Sequence, residues 1–241
     1  MTEPVVQVTG LSKRFATGAD AVTVLAELSF ALPAGASLAL TGRSGSGKST
    51  LLNLLCGLEA PEAGRLQVFG EAFAAGDDGV AGDASARWAR LRRRAIGVVF
   101  QDANLMPALT LLENVRLRAT LAGQPTAPAA DWLARLGLAE LANRYPDQVS
   151  GGQRQRAALA MVFAMNPGLI LADEPTGSLD HHTADDVADS LFSLQQHSGC
   201  GLILATHDPA LAARCQYRLD LGHDRPELAA TSALPSAAAP P

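Results

Sequence analysis

Gly42-Arg43-Ser44-Gly45-Ser46-Gly47-Lys48-Ser49-Thr50 gathers glycines, hydroxyls and one ammonium group in the pattern G-x-x-x-x-G-K-[ST]. Glycines at this spacing let the backbone curl until successive N–H groups point at one place, which makes a nest for an anion. A helix starting at the end of the nest adds the positive end of its dipole. Lys48 then brings a full charge to the β- and γ-phosphates of a nucleotide, and the Ser49 hydroxyl is a ligand for Mg²⁺. The plainer reading, a flexible Gly/Ser turn, requires neither Lys48 nor Ser49 in register.

Two carboxylates, an imidazole and an amide stand where such a nucleotide needs them. Asp173 ends the apolar run Leu169-Ile170-Leu171-Ala172, the usual way to deliver a carboxylate to a phosphate-bound Mg²⁺, directly or through a water. Glu174 comes next in the chain and points elsewhere, so it is placed to act as general base on the attacking water. An isolated Asp-Glu pair is more often a solvated turn; the preceding strand and the phosphate loop reverse that preference. His207 follows a second apolar run, Leu202-Ile203-Leu204-Ala205, and Thr206. It is a candidate for orienting the γ-phosphate and the water, against the plainer role of a hydrogen-bonded structural histidine. Gln101, after Ile96-Gly97-Val98-Val99-Phe100, can reach the metal or the water through its side-chain oxygen.

A second nest opens at Ser150-Gly151-Gly152-Gln153. Serine alone would cap a helix; two glycines behind it allow close approach of a ligand to the helix N-terminus. The first loop already occupies one nucleotide, so this nest needs a different phosphate.

These groups demand a particular framework. Ser37-Leu38-Ala39-Leu40 reads as a buried strand and Leu51 to Leu55 as the apolar face of a helix, which gives the strand, loop, helix order around the phosphate loop. Fully apolar strands alternating with helices, such as one from Asp185 to Gln196, predict a parallel sheet covered on both faces. Ligands of such sheets bind beyond the carboxyl ends of the strands, where the phosphate loop, Asp173-Glu174 and His207 all fall. Ahead of it, short β-prone runs at Val5–Val8, Val22–Leu25 and Leu28–Leu32, continued by Leu66–Phe69, predict an antiparallel layer. Helical patterns at Leu109–Leu121, Ala130–Leu136 and Ala139–Arg144 predict a helical insert over about 103–160. A further helix from Gly151 to about Met165 is stopped by Asn166-Pro167.

The 241-residue chain carries a formal net charge of −5, which argues against a nucleic-acid-binding surface spread over the protein. Cys56, Cys200 and Cys215 are too far apart in sequence to suggest a disulfide framework or a zinc site. Met1 to Val6 lacks the basic and apolar regions of a secretory signal. Asn166-Pro167 interrupts the most apolar window, Ala157 to Ala172, well short of a membrane span. The Ala/Pro-rich end, placed at residues 223–241, reads as a disordered tail. Arg87, Arg90, Arg92, Arg93 and Arg94 form one strong basic run, read first as a solvated helix face and otherwise as a contact for acidic lipid or a membrane subunit. His181-His182 reads as a solvated helix start; Trp88 and Trp132 read as packing residues.

Taken together and in this order, the motifs resemble those of the ABC-transporter ATPases. Gly42 to Thr50 match Walker A, Gln101 the Q-loop, Ser150-Gly151-Gly152-Gln153 the signature, Leu169 to Glu174 Walker B, Ser178-Leu179-Asp180 the D-loop and His207 the switch histidine. The resemblance runs from about Val5 to Gly222. It implies an α/β fold with a RecA-like P-loop NTPase core, an N-terminal antiparallel β layer and a helical insert, as one ATPase domain over 5–222. It also implies ATP and Mg²⁺ as cofactors, with Ser49, Gln101 and Asp173 at the metal. The resemblance further implies a head-to-tail homodimer in which Ser150 to Gln153 and Asp180 of one subunit serve the ATP bound by the other. Phe15 matches the aromatic that stacks on adenine.

Ala172 to Asp180, with no long C-terminal regulatory domain, is similar to the subgroup driving lipoprotein-release, macrolide-efflux and cell-division complexes, and Thr206 to Cys215 to a predicted exporter ATPase within it. That likeness implies a separately encoded membrane permease, no nucleic acid, and a cytoplasmic place at the inner face of the plasma membrane through the permease. Val149 for the usual Leu, Phe15 for the commoner Tyr, and the wholly apolar Ala160-Met161-Val162-Phe163-Ala164 depart from the family pattern. A soluble ABC-type ATPase of DNA or the ribosome is the alternative. It would bring long coiled coils or a second ATPase domain, whereas this chain has about a hundred ordinary residues between Walker A and the signature.

Overall fold

The computed structural model describes residues 3–17, 20–76, 83–222 and 228–231. Along them run β1 (Pro4–Thr17), β2 (Asp20–Pro33), β3 (Ser37–Thr41), α1 (Lys48–Leu55), β4 (Ala63–Val68), β5 (Glu71–Ala74), α2 (Asp83–Arg94), β6 (Ile96–Val99), α3 (Leu111–Ala122) and α4 (Ala129–Arg135). There follow α5 (Gly151–Ala164), β7 (Leu169–Asp173), α6 (His181–Ser198), β8 (Gly201–Ala205), α7 (Pro209–Ala213), β9 (Tyr217–Asp220) and β10 (Leu228–Ala230).

The apolar runs are explained by a sheet buried on both faces. Strands β9, β3, β8, β7 and β6 lie side by side and parallel, with β10 antiparallel at the β9 edge. Alternate side chains enter two different cores, because successive residues of a strand point to opposite faces. Leu38, Leu40, Leu169, Leu171 and Ile203 join the core under α1, α2 and the antiparallel sheet. Ala39, Ile170, Ala172, Leu202 and Leu204 join the core under α3, α4, α5 and α6. The second sheet, ordered β2-β1-β4-β5, is antiparallel throughout. The fold is thus the expected α/β class with an antiparallel layer.

Several expected boundaries shift. The short runs before the phosphate loop belong to one long hairpin, because register shifts on β1 between Val8 and Leu11, and again near Lys13, let pairing continue across the interruptions. The pattern at Ala139–Arg144 yields only a 3₁₀ turn at Ala139–Leu141. Its following carbonyls are used elsewhere: Ala142 O and Arg144 O accept from Leu112 N and Leu111 N, each at 2.9 Å, in the first turn of α3. The stretch 223–241, expected to be a disordered tail, contains β10. Backbone pairing to β9 and packing of Leu228 against the core hold Leu228–Ala230, and Thr231 N donates to Gln216 O at 3.0 Å; residues 223–227 and 232–241 lie outside the described residues. The helical block expected at 103–160 holds α3, α4 and most of α5, but α5 continues to Ala164 and packs on the sheet, where a Cβ on Gly97 would lie 2.4 Å from Val162 Cγ1.

The basic run lies on α2 and is less free than its composition implies. Arg87 and Arg90 pair with Glu71 at 3.2 and 2.7 Å, and Arg92 donates to Cys56 O and Gly57 O. Trp88 is buried and stacked on Phe73 at 3.8 Å. Trp132 packs against Phe163, and His181 and His182 stand exposed at the start of α6.

Candidate active site

The phosphate loop leaves β3 at Gly42 and enters α1 at Lys48, as the pattern requires. Gly47 is the N-cap at φ 96°, and no side chain caps the helix, so the N–H groups of the first turn remain available to an anion. A side chain at Gly47 would be strained by that φ, and its Cβ would meet Val24 and Leu25 at 2.9 Å. Lys48 is only 7% exposed; its Nζ donates to Gly42 O at 2.9 Å and Arg43 O at 3.2 Å, so the ammonium is held inside the loop. Ser46 Oγ is buried without a partner, an orphan that a phosphate oxygen would satisfy. Phe15, Val24, Ser44, Gly45, Gly47, Lys48, Ser49, Thr50 and Glu174 line one cleft of about 290 Å³. Arg43 is exposed beside it, and Lys13 Nζ lies 5.1 Å from the Phe15 ring.

At the neighbouring strand ends stand the two carboxylate residues. Asp173 closes β7, paired with Ala205. Glu174 then takes the left-handed region at φ 43° while its N–H still donates to Ala205 O at 3.0 Å. This conformation costs about 1–3 kcal/mol for a non-glycine residue. Glu174 Oε2 lies 3.1 Å from His207 Nδ1, so the imidazole fixes one carboxylate oxygen and leaves the other for a water. Gln101 converges on the same place: a Cβ on Gly177 would be 3.3 Å from Glu174 Oε2 and 3.4 Å from Gln101 Nε2.

The second nest is built differently. Ser150 Oγ accepts from Gln153 N at 3.3 Å and Ser150 N donates to Gln153 Oε1 at 2.8 Å, a reciprocal capping box. At Gly152 the missing side chain admits α6, since a Cβ there would run into Thr183 Cγ2, while Gly151 faces Leu179. Asp180 caps α6 through Thr183 N at 3.1 Å, and hydrogen bonds from the Thr183 side chain and then its backbone hold the Asp180 carboxyl below the usual range. Neither the cleft at the phosphate loop nor the adjoining hollow of about 190 Å³ beside Glu174 and His207 includes Ser150, Gly151, Gly152 or Gln153.

Two supports escape a sequence reading. Leu221 N donates to Thr41 O at 2.8 Å, so the turn after β9 props the start of the phosphate loop. Gln155 Nε2 donates to Phe100 O at 2.8 Å; a polar residue at a buried helix position was its only signal. The oxygen donors Ser49, Asp173 and Gln101 suit Mg²⁺, a hard cation that takes few protein ligands and relies on phosphates and water for the rest.

The ABC transporter family model matches residues 25–177. The ABC transporter ATP-binding protein YbbA of Escherichia coli (strain K12) is 41% identical over 223 residues, covering 91% of this chain and 95% of that protein. The lipoprotein-releasing system ATP-binding protein LolD of Anaeromyxobacter dehalogenans (strain 2CP-C) is 43% identical over 223 residues, 90% of each. A solved structure of the ATP-binding cassette MJ0796, a dimeric post-hydrolysis state bound to ADP and Pi, has a TM-score of 0.79 at 32% identity, covering 92% of this chain and 97% of that one. With the phosphate loop, the Glu174–His207 pair and these likenesses in agreement, the chain belongs to the ABC transporter family, as an ATP-binding subunit that hydrolyses ATP.

Proposed function

We propose that two copies of the chain close head to tail on two ATP molecules, each Ser150–Gln153 nest covering the nucleotide in its partner's phosphate loop. The observation that carries this is the segregation of the two nests: the signature residues stand apart from the cleft that Lys48 and Ser49 line, although Ser150 is exposed. The dimeric state of the MJ0796 cassette supports it. In that site Lys48, Ser46 and the first-turn N–H groups of α1 bind the β- and γ-phosphates, and Phe15 stacks on adenine. Ser49, Asp173 and Gln101 hold Mg²⁺, which, when bound, neutralises charge on the phosphate oxygens. Glu174 takes the proton of the attacking water while His207 keeps its carboxylate oriented. Asp180 acts at the partner's nucleotide.

Closure of this dimer moves a separate integral membrane permease at the inner face of the membrane, in export or in lipoprotein-directed mechanical work. No helix among the described residues is long and apolar enough to cross a membrane, and the likeness to LolD supports a permease of that class. Co-purification from membranes with Glu174→Gln and ATP tests the assignment: an integral membrane protein should be retained in ATP and released when Lys48→Ala is added to the same chain. Recovery of the same membrane protein irrespective of Lys48 would contradict it.

A further inference from the structure

We propose that Gln155 is a positioning residue for Gln101, so that the signature helix of each chain sets the Q-loop of that same chain. Gln155 is 2% exposed and sits one turn beyond the Ser150 cap, among the buried residues of α5. A buried amide is retained only where its hydrogen bonds are satisfied, and this one donates from Nε2 to Phe100 O at 2.8 Å. Phe100 is the first residue past β6, after the last paired position Val99. Gln155 therefore takes up the first backbone acceptor that the sheet no longer fixes.

The next residue is Gln101, and it is clamped on its other side as well: its carbonyl accepts from Ser178 Oγ at 3.4 Å, while its Nε2 and Glu174 Oε2 approach the same Gly177. Both clamps come from elements assigned to the partner's nucleotide, the signature helix and the D-loop. Further along, α5 is keyed to β6 by the Gly97–Val162 approach, so a shift at its N-terminus is felt at the exit of β6. An ATP that engages Ser150 from the partner side thereby biases the amide of Gln101 in this chain's own site.

The inference rests on the proposed role of Gln101 at the metal and water, and a double-mutant cycle separates the two. Gln155→Met keeps length and apolar packing but removes the donor. It should lower kcat about tenfold, the usual scale for orphaning a buried acceptor, with KM for ATP unchanged within about twofold. In a Gln101→Ala background the same substitution should cost less than about twofold further, because the residue it positions is gone. Gln155→Leu, uncharged and without any donor, serves in the same cycle should the Met variant fail to fold. Losses that multiply across the cycle, or a rise in KM in place of the fall in kcat, would overturn the positioning role. A Gln101→Ala enzyme as fast as the parent would instead overturn the reading of Gln101 on which it rests.

Discussion

The two nests of this protein are made from the same residue types and solve opposite problems. In the phosphate loop the hydrogen-bonding groups are left wanting: α1 has no side-chain cap, Ser46 Oγ has no partner, and Lys48 leans on the loop's own carbonyls. In the signature segment Ser150 and Gln153 already cap each other, and the side-chain position of Gly152 is taken by Thr183. The first loop is arranged to surround a ligand; the second is a capped helix start packed against α6. Glycine in the first serves backbone conformation, and in the second it serves the packing of two helices.

The sharpest ways to break this contrast lie in the first loop's site. Lys48→Ala should weaken ATP binding about a hundredfold, since bonds to a charged group are removed from a buried place; titration with a fluorescent ATP analogue checks it. Glu174→Gln should leave that affinity in place and slow hydrolysis about 10²–10⁴-fold, measured as phosphate release.

In the second loop the expected losses are of folding stability rather than of nucleotide affinity. Gly152→Ala should destabilise the chain by about 1–3 kcal/mol through overpacking against Thr183, and Thr183→Ser, which deletes the offending methyl, should return most of it. Thermal melts of the two single variants and the double variant read this directly. Ser150→Ala should lose about 1 kcal/mol with the N-cap and leave ATP affinity of the isolated subunit unaltered.

The smallest effect comes from outside both loops and sets the baseline. Arg90, and with it Arg87, holds the Glu71 carboxyl below its ordinary value of 4.5. A depressed folded-state value means that the pair's contribution is fully present above about pH 4.5 and is lost as pH falls through the folded value. Glu71→Gln should therefore cost under about 1 kcal/mol at pH 7, with the difference from the parent shrinking in melts as the pH is taken progressively below 4.5.

The legible part of this molecule was what local pattern enforces. Leu169 to Ala172 and Leu202 to Ala205 announced a sheet buried on both faces, because no other setting tolerates a run with no polar side. The G-x-x-x-x-G-K-[ST] pattern located the phosphate loop between strand and helix. What stayed hidden depends on partners far along the chain. The turn at Leu221 meets Thr41 only after the whole sheet is assembled, and β10 is held by backbone pairing that its side chains do not advertise. The packing of α6 into the side-chain position of Gly152 was hidden because nothing in its neighbourhood names Thr183. Arg90, Arg93 and Arg94 are exposed as the solvated reading expects, but the ties of Arg87 to Glu71 and of Arg92 to Cys56 and Gly57 were hidden because those partners are not adjacent in sequence.

The most direct test is the mass of the Glu174→Gln protein in solution, by light scattering with and without ATP. A shared site requires a dimer with ATP and a monomer without it, and a return to monomer when either Ser150→Arg or Lys48→Ala is added to the same chain. A dimer that persists without ATP, or that forms with Ser150→Arg in place, would contradict a site shared between the two nests.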